Sequence, residues 1–542
     1  MLRASILLTV TVTLAGCAGG QSGSRHQPRI PPPVPAKTSP PPAHTPDAGA
    51  QVALENGTAL FEKLVAMVRR YHVFAPQTEK NLGKRWDDYL PRLGAEFAAA
   101  RDPAALTVAL WHFGNSLHDV HCQFRPKDRG DRLRLGFRVG VEKQGSGFQF
   151  YVERVSDAGL KKTLSPGDLI VSVDGVPSSR LLDEYELSSN MNSFDNISLD
   201  VAAFLTSRRT SNTLLRPGVT SSWVVQPRAG GDAKAFTATW KKSKQDDDGD
   251  FAIDYENQDC VSSDPKDYGP YKLTARGYRV CIYTSTEPTY RDYPIVRQVS
   301  FRYDEFPHGP LADYQLIRST FDRAKPKGVL LDVQDNGGGM NPNIFLEWWT
   351  DTPYTDTSTR MLLDESLLQD KKGEAHISSL NEAIQDWYVG ELKQRAPGQR
   401  ISSPRPFMCK PKTCTWENRY VPKHRVTSAP VALLLGPGCA SSCDAVAWHF
   451  DKDNIGPIVG RAPMAGFTTH RARFDVVSSA GHPPLGSIDF AISYDTPPDG
   501  TESIEGTYVN IDVPIARTFE NIARYDRLLV DGAIHALQSI SR

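Results

Sequence analysis

Residues 433–460 read LLLGPGCASSCDAVAWHFDKDNIGPIVG. The apolar run Val431 to Leu435 that opens the stretch is of the kind a short buried strand makes. Gly436, Pro437 and Gly438 then turn the chain. A knot of small residues follows, Cys439-Ala440-Ser441-Ser442-Cys443, and leads into an amphipathic helix. Strand, sharp turn and helix in this order lift a serine hydroxyl out of a sheet and leave the first helical N–H groups without internal acceptors. Such a place suits a nucleophile, because a helix start favours negative charge and its N–H groups can hold an oxyanion. Taken alone, the stretch favours a serine that merely caps the helix, because serine before a helix is common.

The residues upstream extend the α/β pattern. Gly328 to Val333 is a second buried strand, ending in Gln334-Asp335-Asn336-Gly337-Gly338-Gly339. Val299 to Tyr303 has strand character and Leu311 to Ala324 has helical periodicity, so strand and helix alternate as in an α/β core. A glycine run after a strand is a plain turn, or a place where backbone N–H groups approach a substrate carbonyl with no side chain in the way. The core is placed at 251–542, with a polar insertion at about 350–425. Ahead of it Ser243 to Asp250 reads as an acidic linker. Residues 131–243 alternate as strands at FQFYVERV, SSWVVQP and AFTATWKK, and SPGDLIVSVDG is a strand–turn–strand signal. Residues 51–130 carry apolar residues at helical spacing in FEKLVAMVRRYHVF and LTVALWHFGNSL. The second run passes into His118-Asp119-Val120-His121-Cys122-Gln123-Phe124, which puts His121 at a helix–strand junction.

The chain has 542 residues and a formal net charge of −1, enough length for several domains and no basic surface for nucleic acid. Residues 1–17 read as a signal segment too short to span a membrane as a mature helix, ending Leu14-Ala15-Gly16-Cys17. The segment 18–50 holds nine prolines between Pro28 and Pro46 and reads as an extended tether. Seven cysteines follow Cys17. In an exported chain some should pair. Cys409 with Cys414 is the first candidate and Cys260 with Cys281 the second, and the odd count leaves at least one thiol outside these pairs. No spacing gives a convincing zinc pattern.

Four separated motifs resemble the C-terminal processing (tail-specific) serine protease family. They fit best its branch with the tricorn core and the chlamydial protease-like activity factor. LLDVQDNGGG resembles the family's "DLR.N.GG", GPGCASSCDAVAWHF its nucleophile turn, IEGTYVNIDV its "E..GV.PD..V", and SLHDVHCQF its "L.DgH..f". The order of parts matches as well: a helical domain at 51–130, a PDZ-like β domain at 131–243, and a ClpP/crotonase-like α/β protease core, making a multidomain α/β chain. Within the PDZ-like domain Leu135, Gly136 and Phe137 resemble the peptide-carboxylate-binding loop. Ala15-Gly16-Cys17 resembles the bacterial lipoprotein box. That resemblance implies a lipid on Cys17 and a place in the bacterial cell envelope, on the periplasmic face or the surface of the outer membrane.

By resemblance, Ser441 falls on the nucleophile. The Ser442 N–H, with the N–H of Gly338 or Gly339, falls on the oxyanion hole. His121 and Glu505 fall on the base and its supporting acid. The lysine used as base in the bacterial processing branch has no counterpart, because no lysine follows Lys452. His470 lies near that position and is the rival base. His449 stands two helical turns from Ser441, roughly 12 Å along the axis, and is too far. Gln334, the two cysteines at the turn, Tyr508 and Ile511 depart from the family pattern. The function expected is a lipid-anchored serine endopeptidase acting on protein or peptide substrates, for which no metal or organic cofactor is expected. The alternative is a catalytically impaired relative that binds peptides or apolar ligands.

Overall fold

The computed structural model of the chain describes residues 57–243, 266–303, 308–339, 341–368, 382–406, 419–467, 470–477, 484–500 and 502–540. The signal segment with Cys17, the tether, most of the acidic linker, Cys260, Cys409 and Cys414 lie outside these residues.

A seven-stranded sheet carries the nucleophile turn. Its order is Lys272–Arg276, Val280–Thr284, Ile295–Gln298, Val329–Asp332, Val431–Leu435, Ile458–Gly460 and Val513–Pro514. The last five run parallel, with Leu331 beside Leu433 and Leu433 beside Ile458. Parallel strands are covered on both faces, which is why they read as unbroken apolar runs. Leu331, Leu433 and Leu435 face a core shared with Val446 and Phe450 of the helix Ser442–Lys452 and Ile317 of the helix Gly309–Ala324. Leu330, Ala432 and Leu434 face the other way, onto Leu529, Val530 and Ala533 of the helix Tyr525–Ile540.

One strand differs from its sequence reading. It spans Ile295–Gln298, not 299–303. Its buried Arg297 and Gln298 disguise it as polar, yet the Arg297 guanidinium is paired with Asp335 at 3.4 Å. Residues 299–303 instead leave the sheet. Phe301 donates its N–H to the Gly338 carbonyl at 3.0 Å and so braces the glycine run. The 350–425 segment also differs from a purely polar insertion. Met361, Leu362, Leu363, Leu367 and Tyr388 form a small core of their own with Ala472 and Ile492.

The helices Gly57–Tyr71, Leu90–Ala99 and Pro103–Asn115 pack through Leu64, Val68, Phe97, Leu110 and Phe113. Asp102 starts the third of them: its carboxylate accepts the Ala105 N–H at 2.8 Å, and Pro103 stands at the first position, where no donor is needed. The strand Phe124–Pro126 then pairs with Gly486–Ala491 of the C-terminal part. Val476, Ile488 and Phe490 complete the helical core, so the two parts share one buried surface. Between them in sequence lies a separate sheet whose edge strand is Phe137–Gln144, followed by Gly147–Val155, Leu169–Val173, Thr220–Gln226 and Lys234–Thr239. The helix Phe194–Phe204 lays Ile197 and Val201 against it.

Candidate active site

Ser441 occupies the residue before the helix Ser442–Lys452, with φ 59° and ψ −122°. An L-residue pays ~1–3 kcal/mol to sit in such a region, so its surroundings must impose it. They do so from several directions. Ala440 N–H bonds the Asn336 carbonyl at 3.1 Å, Met464 N–H bonds the Cys439 carbonyl at 2.9 Å, and Ala445 N–H bonds the Ser441 carbonyl at 3.1 Å. Cys439 and Cys443 are joined in a disulfide that encloses the serine. The sequence reading noted these cysteines and did not pair them. Ser441 makes no side-chain capping bond, so its hydroxyl is not consumed as a helix cap.

The glycine run lies directly over this turn. A Cβ placed on Gly338 would stand 2.6 Å from the Ala440 oxygen, 2.8 Å from Ser441 Cβ and 2.8 Å from Ser442 N. Gly338 and Gly339 also hold φ of 86° and 143°, which a side chain disfavours. The two candidate oxyanion donors are not equivalent. The Gly338 N–H is donated to Asn336 Oδ1 at 2.9 Å, which corrects its assignment as a donor in this form. Gly339 is exposed, and its carbonyl accepts the Ser442 hydroxyl at 3.2 Å. Gly338 therefore supplies the closeness, and Gly339 with Ser442 the candidate N–H groups.

Beneath the turn lies Asp444, fully buried and not singled out in the sequence. Its carboxylate accepts Ala465 N–H at 2.8 Å, Gly466 N–H at 3.0 Å and the N–H of Ser441. Burial raises it to about 8, against the pull of these donors. Ser441-x-x-Asp444 has the spacing of a helix capping box, a signal that was readable. The next residue along the same segment, Phe467, donates its N–H to the Glu505 carboxylate. Glu505 is buried, and burial followed by the neighbouring Asp119 carboxylate pushes it well above the ordinary range. Gly466, where the lysine of the other branch would stand, touches Val120: a Cβ there would fall 1.9 Å from Val120 Cγ2. The segment 464–467 thus contacts the nucleophile turn, Glu505 and the residue before His121.

His121 lies in the junction between helix and strand, as its spacing implies. Its N–H bonds Asp119 Oδ1 at 2.8 Å, and its carbonyl accepts from Arg471 Nη1 at 3.0 Å. The ring Nδ1 is buried and bonded to neither Ser441 nor Glu505. Burial, then the cations Arg471 and Arg125, hold the imidazole down at about 3, so it is neutral at any physiological pH. The rival His470 is engaged elsewhere: Arg405 Nη2 stands 2.6 Å from its Nε2 and occupies that lone pair. His449 is a buried structural residue, held between Asp453 at 2.7 Å and Asp356 at 3.4 Å. Leu135, Gly136 and Phe137 lie together at the start of the edge strand, where the Gly136 carbonyl accepts the N–H groups of Ser156 and Asp157 at 3.0 and 2.9 Å. Among the cysteines, Cys122 is free and buried, and Cys281 is disulfide-bonded.

Residues 302–515 match peptidase family S41. No curated protein matches the chain in sequence. Among solved structures, the chain is similar to mature CPAF at 16% identity and a TM-score of 0.61, covering 90% of this chain and 96% of that one. It is similar to mature CPAF complexed with lactacystin at 16% identity and the same TM-score, covering 90% and 97%. At this identity the likeness shows a shared multidomain α/β fold with N-terminal helices.

Proposed function

Given that the chain belongs through residues 302–515 to peptidase family S41 and is a serine peptidase, we propose that it is an exported, lipid-anchored endopeptidase using Ser441, His121 and Glu505. The observation that carries this reading is the backbone of Ser441, held at φ 59° at a helix start against Gly338. In the proposed reaction Ser441 Oγ attacks the peptide carbonyl while a neutral His121 takes its proton. The tetrahedral oxyanion is held by the N–H groups of Ser442 and Gly339. The protonated His121 then returns the proton to the leaving amine, and Glu505, ionised once the imidazolium stands beside it, orients the ring and stabilises its charge. Water repeats the sequence to release the acyl product. Closing the triad requires the helical part and the 464–467 segment to bring His121 onto Ser441, because the hydrogen bonds between them are not made in this form.

The sheet from Phe137 to Thr239 is proposed as a PDZ-like module. Its open edge strand Phe137–Gln144 suits strand addition by an extended peptide. Anchoring is proposed through a lipid on Cys17, and the tether 18–50 would hold the folded part off the bilayer. Cleavage of casein by the whole chain, beside Ser441→Ala, tests the activity. A fluorophosphonate label on Ser441 separates a working nucleophile from an impaired relative that only binds peptides. Detergent-phase partitioning that survives Cys17→Ala would remove the anchor from the proposal.

A further inference from the structure

The segment 188–196, SSNMNSFDN, reads in sequence as an insertion within the β domain. In the fold it stands where three parts of the molecule meet. Asn190 Nδ2 donates to two carbonyls, Asp119 O at 2.9 Å and Cys122 O at 3.1 Å. These carbonyls flank His121, so one amide ties both sides of the turn that carries it. The Met191 carbonyl receives His118 Nδ1 at 2.8 Å, a third tie to the same turn. Asn192, with no exposed surface, donates from Nδ2 to the Ala465 carbonyl at 3.0 Å and accepts from Tyr508 Oη at 3.5 Å. Ala465 begins the run whose N–H groups hold Asp444 and Glu505, and Tyr508 follows Glu505 by three residues. Asn196, at the start of the helix Phe194–Phe204, donates to the Pro463 carbonyl at 3.3 Å. Asn81 closes the network by donating to the carbonyls of Asn192 at 3.3 Å and Gly506 at 2.8 Å.

We propose that Asn190 and Asn192 are positioning residues that set the His121 turn and the Glu505 support in register with each other. Neither amide touches the reacting atoms. Each grips backbone carbonyl oxygen through its amide N–H donors, which an apolar side chain lacks. The two residues are separated by Met191 alone. A shift of this short segment therefore moves the base and its supporting acid together. The segment leads straight into the helix that lies on the β domain, so a peptide docked there would be felt at both groups. The inference rests on the proposed triad, and its test distinguishes the two.

The test measures the rate of fluorophosphonate labelling and the kcat and KM for a short peptide, from pH 2.5 to 8.5, on the whole chain. The proteins are wild type, Asn190→Ala, Asn192→Ala and Asn190→Gln. Labelling of wild type at Ser441, lost in Ser441→Ala and slowed at least a thousandfold in His121→Ala, secures the triad reading independently. Asn190→Ala is then expected to label ten- to a hundredfold more slowly, with kcat reduced in proportion, KM within about threefold, and the acid limb of the pH profile displaced. Asn190→Gln, which keeps the donor, should recover part of the rate. Asn190 is only half-buried, so its variants can be read even if Asn192→Ala fails to fold. Labelling of folded Asn190→Ala within twofold of wild type, with an unchanged pH profile, overturns the inference while leaving the triad standing. Loss of activity through KM alone, with the labelling rate intact, overturns it as well.

Discussion

Gly338 lies against Ser441 so closely that a Cβ on the glycine would stand 2.8 Å from the serine's own Cβ. The same atom would be 2.6 Å from the Ala440 carbonyl oxygen, which is backbone and cannot turn aside. Gly338→Ala must therefore push the glycine run off the turn, and it also places alanine at φ 86°. The left-handed conformation alone costs ~1–2 kcal/mol. Displacing the oxyanion donors by even a fraction of an ångström is expected to reduce kcat by ~10²–10³, the usual cost of one such donor. Stability should fall by only a few degrees in Tm. Steady-state kinetics beside a thermal melt check this, and a variant with unaltered kcat would show that the run does not border the reaction.

The His121 imidazole is held at about 3 by burial and by two nearby cations, Arg471 and Arg125. A base must be neutral to act, and a lowered pKa keeps it neutral to lower pH. The acid limb of the labelling rate is therefore expected below pH 5, well under the value of a free imidazole, ~6.5. Arg125→Gln removes one cation and should move that limb upward. If the wild-type limb lies near 6.5 and does not respond to Arg125→Gln, the base is not His121 in the setting seen here.

Much of the core was legible because its strands are covered on both faces and read as plain apolar runs, as at Val431 to Leu435. The strand Ile295–Gln298 escaped because Arg297 and Gln298 interrupt the run, and their burial is explained only by partners such as Asp335, distant in sequence. Ser441 was legible through its turn chemistry. Asn190 and Asn192 were not, since a side chain that grips distant carbonyls has no period and no spacing. Pairing of Cys439 with Cys443 likewise depends on the turn bringing their Cα atoms to 5.3 Å, which composition does not state.

That disulfide spans Ser441 and is buried at both ends. A link across four residues gains only about 2 kcal/mol from chain entropy, so its larger effect should be on the shape of the turn. The double variant Cys439→Ser, Cys443→Ser is expected to lose a few degrees in Tm and more than tenfold in kcat, because nothing covalent then opposes relaxation of Ser441 from φ 59°. Peptide mapping without reductant should recover residues 439 and 443 cross-linked. Full activity in the double variant would show that hydrogen bonds alone hold the turn.

Asp444 offers a test of the electrostatics beneath the nucleophile. Burial opposes ionisation, while the N–H groups of Gly466, Ala465 and Ser441 favour it, and the balance lies at about 8 against an ordinary 3.8. The sign follows from proton linkage. With a folded pKa above the unfolded one, the folded chain keeps a proton that the unfolded chain releases. The stability contributed by this group is thus fully present below about pH 4 and is lost as pH rises towards 8. Asp444→Asn cannot ionise, so it lacks this loss. It bears instead a fixed cost of ~1–3 kcal/mol, because its amide faces a backbone donor where the carboxyl oxygen accepted. The gap, taken as the wild-type Tm minus that of Asp444→Asn, should therefore be largest near pH 4–5 and should fall, passing through zero, as pH rises towards 8. A gap that widens with pH would mean that the N–H donors prevail over burial and that Asp444 is a carboxylate, placing a full negative charge under the turn that carries Ser441.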